Sequence, residues 1–350
     1  MKVLIVKTSS LGDIIHCFPV VEYLKKRHEN IEIHWIVESS FSSLVKAHPK
    51  ISKVIEINSH KWRKKKLSYQ TVKNFFSFFK QLRNAAYDLV IDLQGNSKSG
   101  LITACSKSKE KIGFAYSSVS EILNLLGTNR RYNPFPDQNI REDYLGIVKQ
   151  YFSDSSVFYS SKLLLNISIE DGAKIDELLD SPKINKENSL MVCPGAHWKN
   201  KQLKLEILIE FLKRVHSYEN HCSLLLVWGS DSEKELCLEI YNNFPNHSIV
   251  IEKLSLPLLQ NLMISMKKVI AMDSLPLHLA GIAGVSTFGI FGPSSANKYA
   301  PIGHLNKNFQ GTCPYHKEFV KRCPILRTCQ TGACIREVSV ETLFKAYVER

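Results

Sequence analysis

An aspartate near the start of the chain stands where a carboxylate could do chemistry. Asp13 lies in the stretch KTSSLGDIIH, directly after a glycine and three residues after the second of two serines. The apolar run before this turn predicts a strand, and the apolar spacing after it predicts a helix. Turns of this kind often bind phosphate, which a carboxylate would repel. Asp13 is therefore either an ordinary helix N-cap or a base that takes a proton from a substrate.

Other polar candidates also follow predicted strands. In chain order they are Ser9 and Ser10, the stretch GAHWKNK at 195–201, Gly229–Asp231, and the stretch DSLPLH at 273–278. In doubly wound sheets, ligands bind outside the carboxyl ends of the strands. We therefore expect these residues to converge on one ligand.

The stretch DSLPLH allows two interpretations. Asp273 or Ser274 could cap the helix that begins there, or the free N–H groups of its first turn could bind an anion. His278 lies one helical turn into that helix and could add a donor to a phosphate. Lys201 is equally ambiguous, because most lysines are solvated, but this one follows a Pro-Gly turn just before a helix.

Several enzyme and metal signatures are absent from the sequence. No G-x-G-x-x-G follows the first strand, which disfavours a dinucleotide oxidoreductase, and the absence of G-x-x-x-x-G-K-[ST] excludes a P-loop nucleotidase. Neither H-E-x-x-H nor a paired C-x-x-C occurs. Four late cysteines, Cys313, Cys323, Cys329 and Cys334, lie 10, 6 and 5 residues apart. That spacing is irregular for zinc, so we expect structural thiols and no metal site.

Strand and helix patterns alternate in two successive sets. The first set occupies the N-terminal part of the chain, and the alternation restarts after the polar stretch 181–189. Strands that read as continuous apolar runs indicate parallel sheets covered on both faces. We therefore expect an α/β protein with two Rossmann-like, doubly wound domains that face a central cleft. The expected domains are residues 1–170 and 171–335, followed by a closing helix in 336–350.

The composition is that of a soluble globular protein long enough for two domains. The chain has 350 residues, of which 44% are hydrophobic and 23% are charged. No apolar run approaches the roughly 18 residues that cross a bilayer. Lys7 interrupts the first apolar run too early for a signal peptide. Nine cysteines without a regular framework favour a reducing cytosol.

The net charge of +13 is the unusual bulk property. It predicts an anionic partner, which could be a nucleic acid, a membrane surface or a polyanionic small substrate. Part of the charge lies in HKWRKKK, residues 60–66, which contains Trp62, Arg63 and Lys64. This segment is either a solvated loop or a docking patch for phosphates or carboxylates. A nucleic-acid-binding protein is disfavoured, because no recognition-helix or RNP pattern accompanies the charge.

Residues 1–24 and 273–293 resemble the glycosyltransferase family 9 heptosyltransferases, with further matches at 87–100, 194–203 and 334–344. The resemblance spans essentially the whole chain. It implies a GT-B fold and an inverting, metal-independent transfer of L-glycero-D-manno-heptose from ADP-heptose to the Kdo sugar of the lipid A inner core, with no cofactor. It also implies a cytoplasmic protein held peripherally, through its positive charge, at the anionic inner face of the bacterial inner membrane.

The resemblance implies a role for each matched residue. Asp13, in the Leu-Gly-Asp turn, would be the general base that takes the proton of the acceptor hydroxyl. With no metal, the charge of the ADP leaving group would be met by backbone N–H groups, a lysine and a helix dipole. The residues expected to bind the donor are Ser9, Ser10, Ala196, His197, Lys201, Asp231, Asp273, Ser274, Leu275 and His278. Those expected to bind the acceptor are Arg63, Lys64 and Lys98.

Two positions depart from the family pattern. The family usually has glycine where this chain has Leu275, and glutamate is common where it has Asp231. These departures leave open a related family 9 transferase that uses another nucleotide sugar or a later core acceptor. The accepting hydroxyl, the oligomeric state and the extent of domain closure also stay open at this stage.

Overall fold

The computed structural model describes residues 1–59 and 69–349. The chain divides into two compact units, Met1–Ser161 and Lys162–Arg350. Among the residues that the structure describes, no helix is long and apolar enough to cross a membrane. The basic segment 60–66 lies outside the described residues.

The first unit is built on a parallel sheet. Within its described part the strands are β1 Lys2–Val6, β2 Glu32–Glu38, β3 Lys53–Ile57, β4 Leu89–Asp92, β5 Glu110–Phe114 and β6 Arg130–Tyr132. The helices are α1 Leu11–His16, α2 Phe18–Arg27, α3 Ser42–Lys46, α4 Tyr69–Asn84, α5 Ser97–Cys105 and α6 Ile140–Tyr151, with 3₁₀ turns at Ser39–Phe41 and Ile122–Gly127. The strand order is β3-β2-β1-β4-β5-β6.

The second unit repeats this plan. Its described strands are β7 Ser189–Cys193, β8 Ser223–Leu226, β9 Ser248–Val250, β10 Lys268–Met272, β11 Thr287–Phe291 and β12 Asn306–Gln310. Its helices are α7 Ile169–Leu179, α8 Leu205–Tyr218, α9 Asp231–Asn243, α10 Leu256–Ile264, α11 Leu275–Ala283, α12 Ala296–Tyr299, α13 Ala333–Arg336 and α14 Val340–Val348, with a 3₁₀ turn at Lys199–Lys201. The strand order is β12-β11-β10-β7-β8-β9.

Both sheets have the doubly wound order 3-2-1-4-5-6 when the strands are counted from the start of each unit. The central strands are covered on both faces; residues 3–6 of β1, for example, are fully buried. Such strands must be apolar along their whole length, which is why the sequence revealed them. The prediction of an α/β protein with two Rossmann-like sheets is confirmed.

The edge strands β6 and β12 were not predicted. Their sequences, RRY and NKNFQ, are mostly polar. Each pairs with a single neighbour, β5 or β11, at the edge of its sheet. An edge strand can leave much of its surface in water, so it needs no continuous apolar run. Their positions follow from pairing with a neighbouring strand and not from a local pattern.

The first unit ends earlier than the predicted boundary between residues 170 and 171. The Leu163 N–H donates to the Ile282 carbonyl at 2.8 Å, and the Leu165 N–H donates to Gln260 Oε1 at 2.8 Å. These two bonds fasten the connecting segment to helices α10 and α11 of the second unit. The segment therefore belongs with the second unit by its contacts.

A close approach of two glycines positions the loop that follows β4. A Cβ on Gly127 would lie 2.2 Å from the Gly100 carbonyl oxygen, so the 3₁₀ turn packs directly on α5. This brings Asn124 Nδ2 within 2.6 Å of Asp92 Oδ2. Asp92 Oδ1 accepts the N–H groups of Gln94 and Gly95 at 2.9 and 3.0 Å. Burial raises the pKa of Asp92, and these hydrogen bonds oppose that rise.

Replacing Gly127 with alanine tests this close approach. We expect Gly127→Ala to lower the free energy of unfolding by about 1–3 kcal/mol, because the new methyl group meets backbone and not a movable side chain. Gly172→Ala is the matched control, since nothing lies within 4 Å of its Cβ position in α7. The control should be neutral or stabilised by up to about 1 kcal/mol. Equilibrium urea unfolding measures both, and equal stability of the two variants would contradict the packing described.

Candidate active site

Lys201 and Asp273 form a nearly buried ion pair at the carboxyl end of β10. Asp273 is the first residue after that strand, and its N–H donates to the Ile290 carbonyl of β11 at 3.0 Å. Lys201 Nζ lies 2.5 Å from Asp273 Oδ2, and the two side chains are 12% and 8% exposed. The sequence predicted both residues, and the structure brings them together from positions 72 residues apart.

His278 lies on the other side of the same carboxylate. Its Nε2 atom is 3.7 Å from Asp273 Oδ1, and its side chain is buried in the first turn of α11. Ser274 is the N-cap residue of α11, but its side chain makes no cap hydrogen bond. The Ser274 hydroxyl is buried and has no hydrogen-bond partner among the described residues. A buried polar group without a partner is destabilising, and a bound ligand would satisfy it.

The charges around Asp273 decide its protonation. Burial alone would raise the pKa of this carboxyl, but the Lys201 ammonium and His278 outweigh burial and hold the pKa below its ordinary value. Asp273 is therefore an anion at neutral pH. It holds Lys201 in place and does not exchange protons itself.

Leu275 occupies the first position of α11. It is half-buried, and Pro276 follows it within the first turn. Proline has no N–H and fits the start of a helix without loss. The structure thus keeps a regular helix start directly after the Lys201–Asp273 pair, in spite of the leucine.

The loop that carries Lys201 is fixed at both ends. Ala196 is buried, and its carbonyl accepts a hydrogen bond from Gln202 Nε2 at 2.6 Å. His197 is exposed, with its ring packed edge-on against Trp198 at 5.2 Å between centroids. At the other end, Asn200 Nδ2 donates to the Cys329 carbonyl at 3.4 Å and also to the Leu326 carbonyl.

Glu233 contacts this loop, whereas the predicted Asp231 is exposed at the start of α9. Glu233 Oε2 accepts the Gly229 N–H at 2.7 Å and the Ser230 N–H at 3.2 Å. A Cβ on Gly195 would lie 2.3 Å from Glu233 Cδ, so the loop after β7 touches the first turn of α9 here. Glu233 was not among the residues predicted from the sequence. The S-x-x-E spacing of a capping box, GSDSE, was the available signal.

Asp13 caps its own turn in the first unit. Ser10 Oγ donates to Asp13 Oδ2 at 2.7 Å, and the Ser10 N–H donates to the same oxygen at 3.2 Å. Gln94 Oε1 accepts the N–H groups of Thr8 and Ser9 at 3.0 Å each. The carboxylate is half-buried and keeps a fixed position on the turn. Ser10 is the N-cap residue of α1, and Asp13 is the third residue of that helix, so the prediction that Asp13 is itself the N-cap is wrong. Its carboxylate forms the other half of a capping box.

Lys98, expected to bind the acceptor, is already paired. Its Nζ lies 2.7 Å from Glu38 Oε1 and 3.2 Å from Ser59 Oγ. Glu38 is buried and also accepts the Ser59 N–H at 3.1 Å. Arg63 and Lys64, the other two expected acceptor contacts, lie outside the described residues.

Comparison with known proteins shows the family of this chain. The family model described as glycosyltransferase family 9 (heptosyltransferase) matches residues 75–328. This chain belongs to glycosyltransferase family 9. Lipopolysaccharide heptosyltransferase 1 of Pseudomonas aeruginosa is 28% identical over 327 residues, which are 90% of this chain and 88% of that protein. Lipopolysaccharide heptosyltransferase 1 of Escherichia coli K12 is 26% identical over 316 residues, which are 88% of this chain and 92% of that protein.

Solved structures show the same architecture as this family 9 transferase. The Escherichia coli heptosyltransferase WaaC with ADP-2-deoxy-2-fluoro heptose superposes with a TM-score of 0.73 at 22% identity, over 89% of this chain and 94% of that one. A family 9 glycosyl transferase from Veillonella parvula gives a TM-score of 0.80 at 17% identity, over 99% and 96%. The predicted GT-B fold is confirmed.

Replacing Lys201 in this glycosyltransferase would leave the buried Asp273 carboxylate without its paired cation. We expect Lys201→Met to lower the free energy of unfolding by about 3 kcal/mol at pH 7, because Asp273 loses its nearest cation. The double variant Lys201→Met/Asp273→Asn should recover most of that loss. Urea unfolding of wild type and both variants measures the effect.

The loss of stability in Lys201→Met should depend on pH. In wild type the lowered pKa of Asp273 means that the pair stabilises the fold at neutral pH and that this contribution is lost as pH falls through that pKa. In Lys201→Met, burial would raise the pKa of Asp273, so the difference in stability from wild type should narrow as the pH falls below 7. A double variant no more stable than the single one would show that the ion pair does not govern this site.

Proposed function

We propose that this glycosyltransferase moves L-glycero-D-manno-heptose from ADP-heptose to the Kdo sugar of the lipid A inner core, with inversion at the anomeric carbon. The observation that carries the proposal is the buried Lys201–Asp273–His278 cluster at the start of α11. Beside it lies the buried Ser274 hydroxyl, which has no hydrogen-bond partner in the part of the chain that the structure describes. A cation, an imidazole, a hydroxyl and a helix N-terminus in one place suit the diphosphate of a nucleotide sugar.

The names of the relatives support the choice of donor and pathway. The relatives described above are lipopolysaccharide heptosyltransferases, and the chain covers about nine-tenths of each. WaaC was solved with ADP and with a fluorinated ADP-heptose. The donor would contact Ser9, Ser10, Ala196, His197, Lys201, Asp231, Asp273, Ser274, Leu275 and His278.

Asp13 would act as the general base. Its carboxylate takes the proton of the acceptor hydroxyl while that oxygen attacks the anomeric carbon, and the bond from this carbon to the ADP oxygen breaks. Ser10 holds the carboxylate by two hydrogen bonds and so fixes its direction. Negative charge that develops on ADP is met by Lys201, by His278 and by the first turn of α11, so the transfer would need no metal.

The positive net charge of the chain supports an anionic acceptor. Kdo carries a carboxylate and lipid A carries phosphates, and a protein of net charge +13 attracts both. Arg63 and Lys64 would contact the acceptor directly. Lys98 would do so while it stays paired with Glu38, which makes it a positioned donor and not a mobile cation. The protein would work in the cytoplasm, bound peripherally to the inner face of the inner membrane.

The assay for this function measures ADP release from ADP-heptose, with and without Kdo-capped lipid A, in the absence of added Mg²⁺ or Mn²⁺. Acceptor-dependent release and a product whose anomeric configuration is inverted by NMR would support the proposal. Faster release from another nucleotide sugar, or with a later core acceptor, would favour the alternative within the family. Release only after a divalent cation is added would contradict the metal-free mechanism.

An amide at position 13 tests whether Asp13 acts as a general base, apart from its structural role in the capping box. We expect Asp13→Asn to lower turnover at least about 100-fold, since general base catalysis contributes about 10²–10⁴. Binding of ADP-heptose, measured by calorimetry, should change little, because the amide keeps the volume and can still accept a hydrogen bond from Ser10. Asp176→Asn, at an exposed position of α7, is the matched control and should retain full turnover. Near-wild-type turnover of Asp13→Asn would remove Asp13 from the mechanism.

A further inference from the structure

A cavity of about 450 Å³ lies between two segments of the second unit. One segment is the loop that carries Lys201, and the other is residues 327–336, which end in helix α13. Sites for small molecules commonly have volumes of about 300–1,000 Å³, so this basic cavity is large enough for a small ligand. Trp198, Lys199, Arg327 and Arg336 are among the residues that line it.

The basic cavity collects three cations without a carboxylate. Lys199, Arg327 and Arg336 line it, and no Asp or Glu is among its described lining residues. None of the three cations forms an ion pair with another described residue. Like charges gathered in a concave site attract an anion. A phosphate monoester carries a charge of about −1.5 to −2 at pH 7, so three cations suit it better than they suit a single carboxylate.

Trp198 gives the cavity an apolar wall. It is 37% exposed, and the ring of His197 packs edge-on against it at 5.2 Å between centroids. An exposed indole is a large apolar surface that the C–H face of a sugar ring can cover. Asn200 also lines the cavity, and its Oδ1 atom has no hydrogen-bond partner within the described part of the chain. A sugar hydroxyl could donate to that oxygen.

The two walls of the cavity are fastened to each other. Asn200 Nδ2 donates to the Cys329 carbonyl at 3.4 Å and also to the Leu326 carbonyl. Arg336 Nη1 donates to the Lys199 carbonyl at 3.5 Å. A Cβ on Gly332 would lie 2.8 Å from Asn200 Cβ, so the segments are in direct contact. A ligand would therefore meet cations whose backbone positions are already set.

We propose that the basic cavity binds a sugar phosphate, with Lys199, Arg327 and Arg336 on the phosphate and Trp198 against the sugar ring. Guanidinium groups bind phosphate oxygens through paired N–H groups, and the ammonium adds a point charge. A soluble sugar phosphate and the phosphorylated sugar of a glycolipid present the same groups to the cavity. Both are therefore sources of the ligand that experiment can separate.

This site is distinct from the Lys201–Asp273–His278 cluster. None of those three residues is among the described residues that line the cavity. His197, one of the residues proposed to contact the donor, does line it, so the two sites are neighbours on one loop. The inference does not rest on the proposed function, because the cavity binds a sugar phosphate whether or not the protein transfers heptose.

Calorimetry with glucosamine 1-phosphate tests the cavity. Wild type should bind it, and Arg327→Gln/Arg336→Gln should bind it at least about tenfold more weakly, because two charged contacts to the phosphate are lost. Arg327 is exposed and Arg336 is half-buried, so the double variant should keep the Tm of wild type. The matched control, Lys174→Gln/Lys213→Gln, removes the same charge from exposed positions of α7 and α8 and should bind as wild type does.

A third variant and two further compounds separate the parts of the ligand. Trp198→Ala should weaken binding of glucosamine 1-phosphate but not of inorganic phosphate, because the indole contacts only the sugar. Saturating ADP should leave the affinity of wild type for glucosamine 1-phosphate unchanged. The arginine double variant should bind ADP as wild type does.

Vesicles identify the source of the ligand. If the cavity takes a glycolipid, phosphatidylcholine vesicles that contain lipid A should bind wild type more tightly than the arginine double variant, and glucosamine 1-phosphate should compete. Binding of the soluble compound alone would assign the cavity to soluble sugar phosphates. Vesicles with phosphatidylglycerol in place of lipid A should bind the two double variants alike, since both variants have lost two charges.

Three results would overturn the site: no binding of glucosamine 1-phosphate together with no preference for lipid A vesicles, equal weakening in the two double variants, or displacement of glucosamine 1-phosphate by ADP. Displacement would make the cavity part of the donor site. If wild type fails to bind ADP-heptose but binds glucosamine 1-phosphate, the proposed function fails and this site stands.

Discussion

The ion pair between Lys201 and Asp273 is the contact on which the arrangement of the second unit's site depends. It joins the loop after β7 to the end of β10 and leaves both charges almost out of water. Desolvating two charges is unfavourable, and apolar residues of similar volume would often stabilise a fold as well. A pair of this kind is best explained by what it positions, which is a cation held beside His278 and the start of α11.

The loops at the carboxyl ends of both sheets are held by side chains that accept backbone N–H groups. Gln94 does this for the turn before Asp13, and Glu233 does it for Gly229 and Ser230. Buried Asp92 does the same for the loop that contains Gln94. Loops fixed in this way lose little entropy when a ligand binds, so a substrate meets groups that are already in place.

Residues 311–332, between β12 and α13, contain no helix or strand and are held by a side chain that donates to their backbone carbonyls. Asn200 Nδ2 donates to the carbonyls of Leu326 and Cys329, and these contacts connect the segment to the Lys201 loop. The irregular spacing of Cys313, Cys323, Cys329 and Cys334 predicted structural thiols. Spacing describes local turns, however, and cannot show that residues 313 and 334 line one cavity.

The sequence by itself determined the two Rossmann-like halves and the places where polar residues meet, because buried parallel strands must be apolar along their length and their carboxyl ends must share an edge. It therefore predicted that Lys201, Asp273 and His278 lie together, which the structure shows, and that Asp13 follows the first strand. Only the tertiary structure decided which partner each charge has: Lys98 pairs with Glu38, 60 residues away, and Glu233 rather than Asp231 meets Gly195. The tertiary structure also determined where the polar edge strands Arg130–Tyr132 and Asn306–Gln310 lie. Pairing between distant residues depends on strand order and register, which no local pattern of residues records.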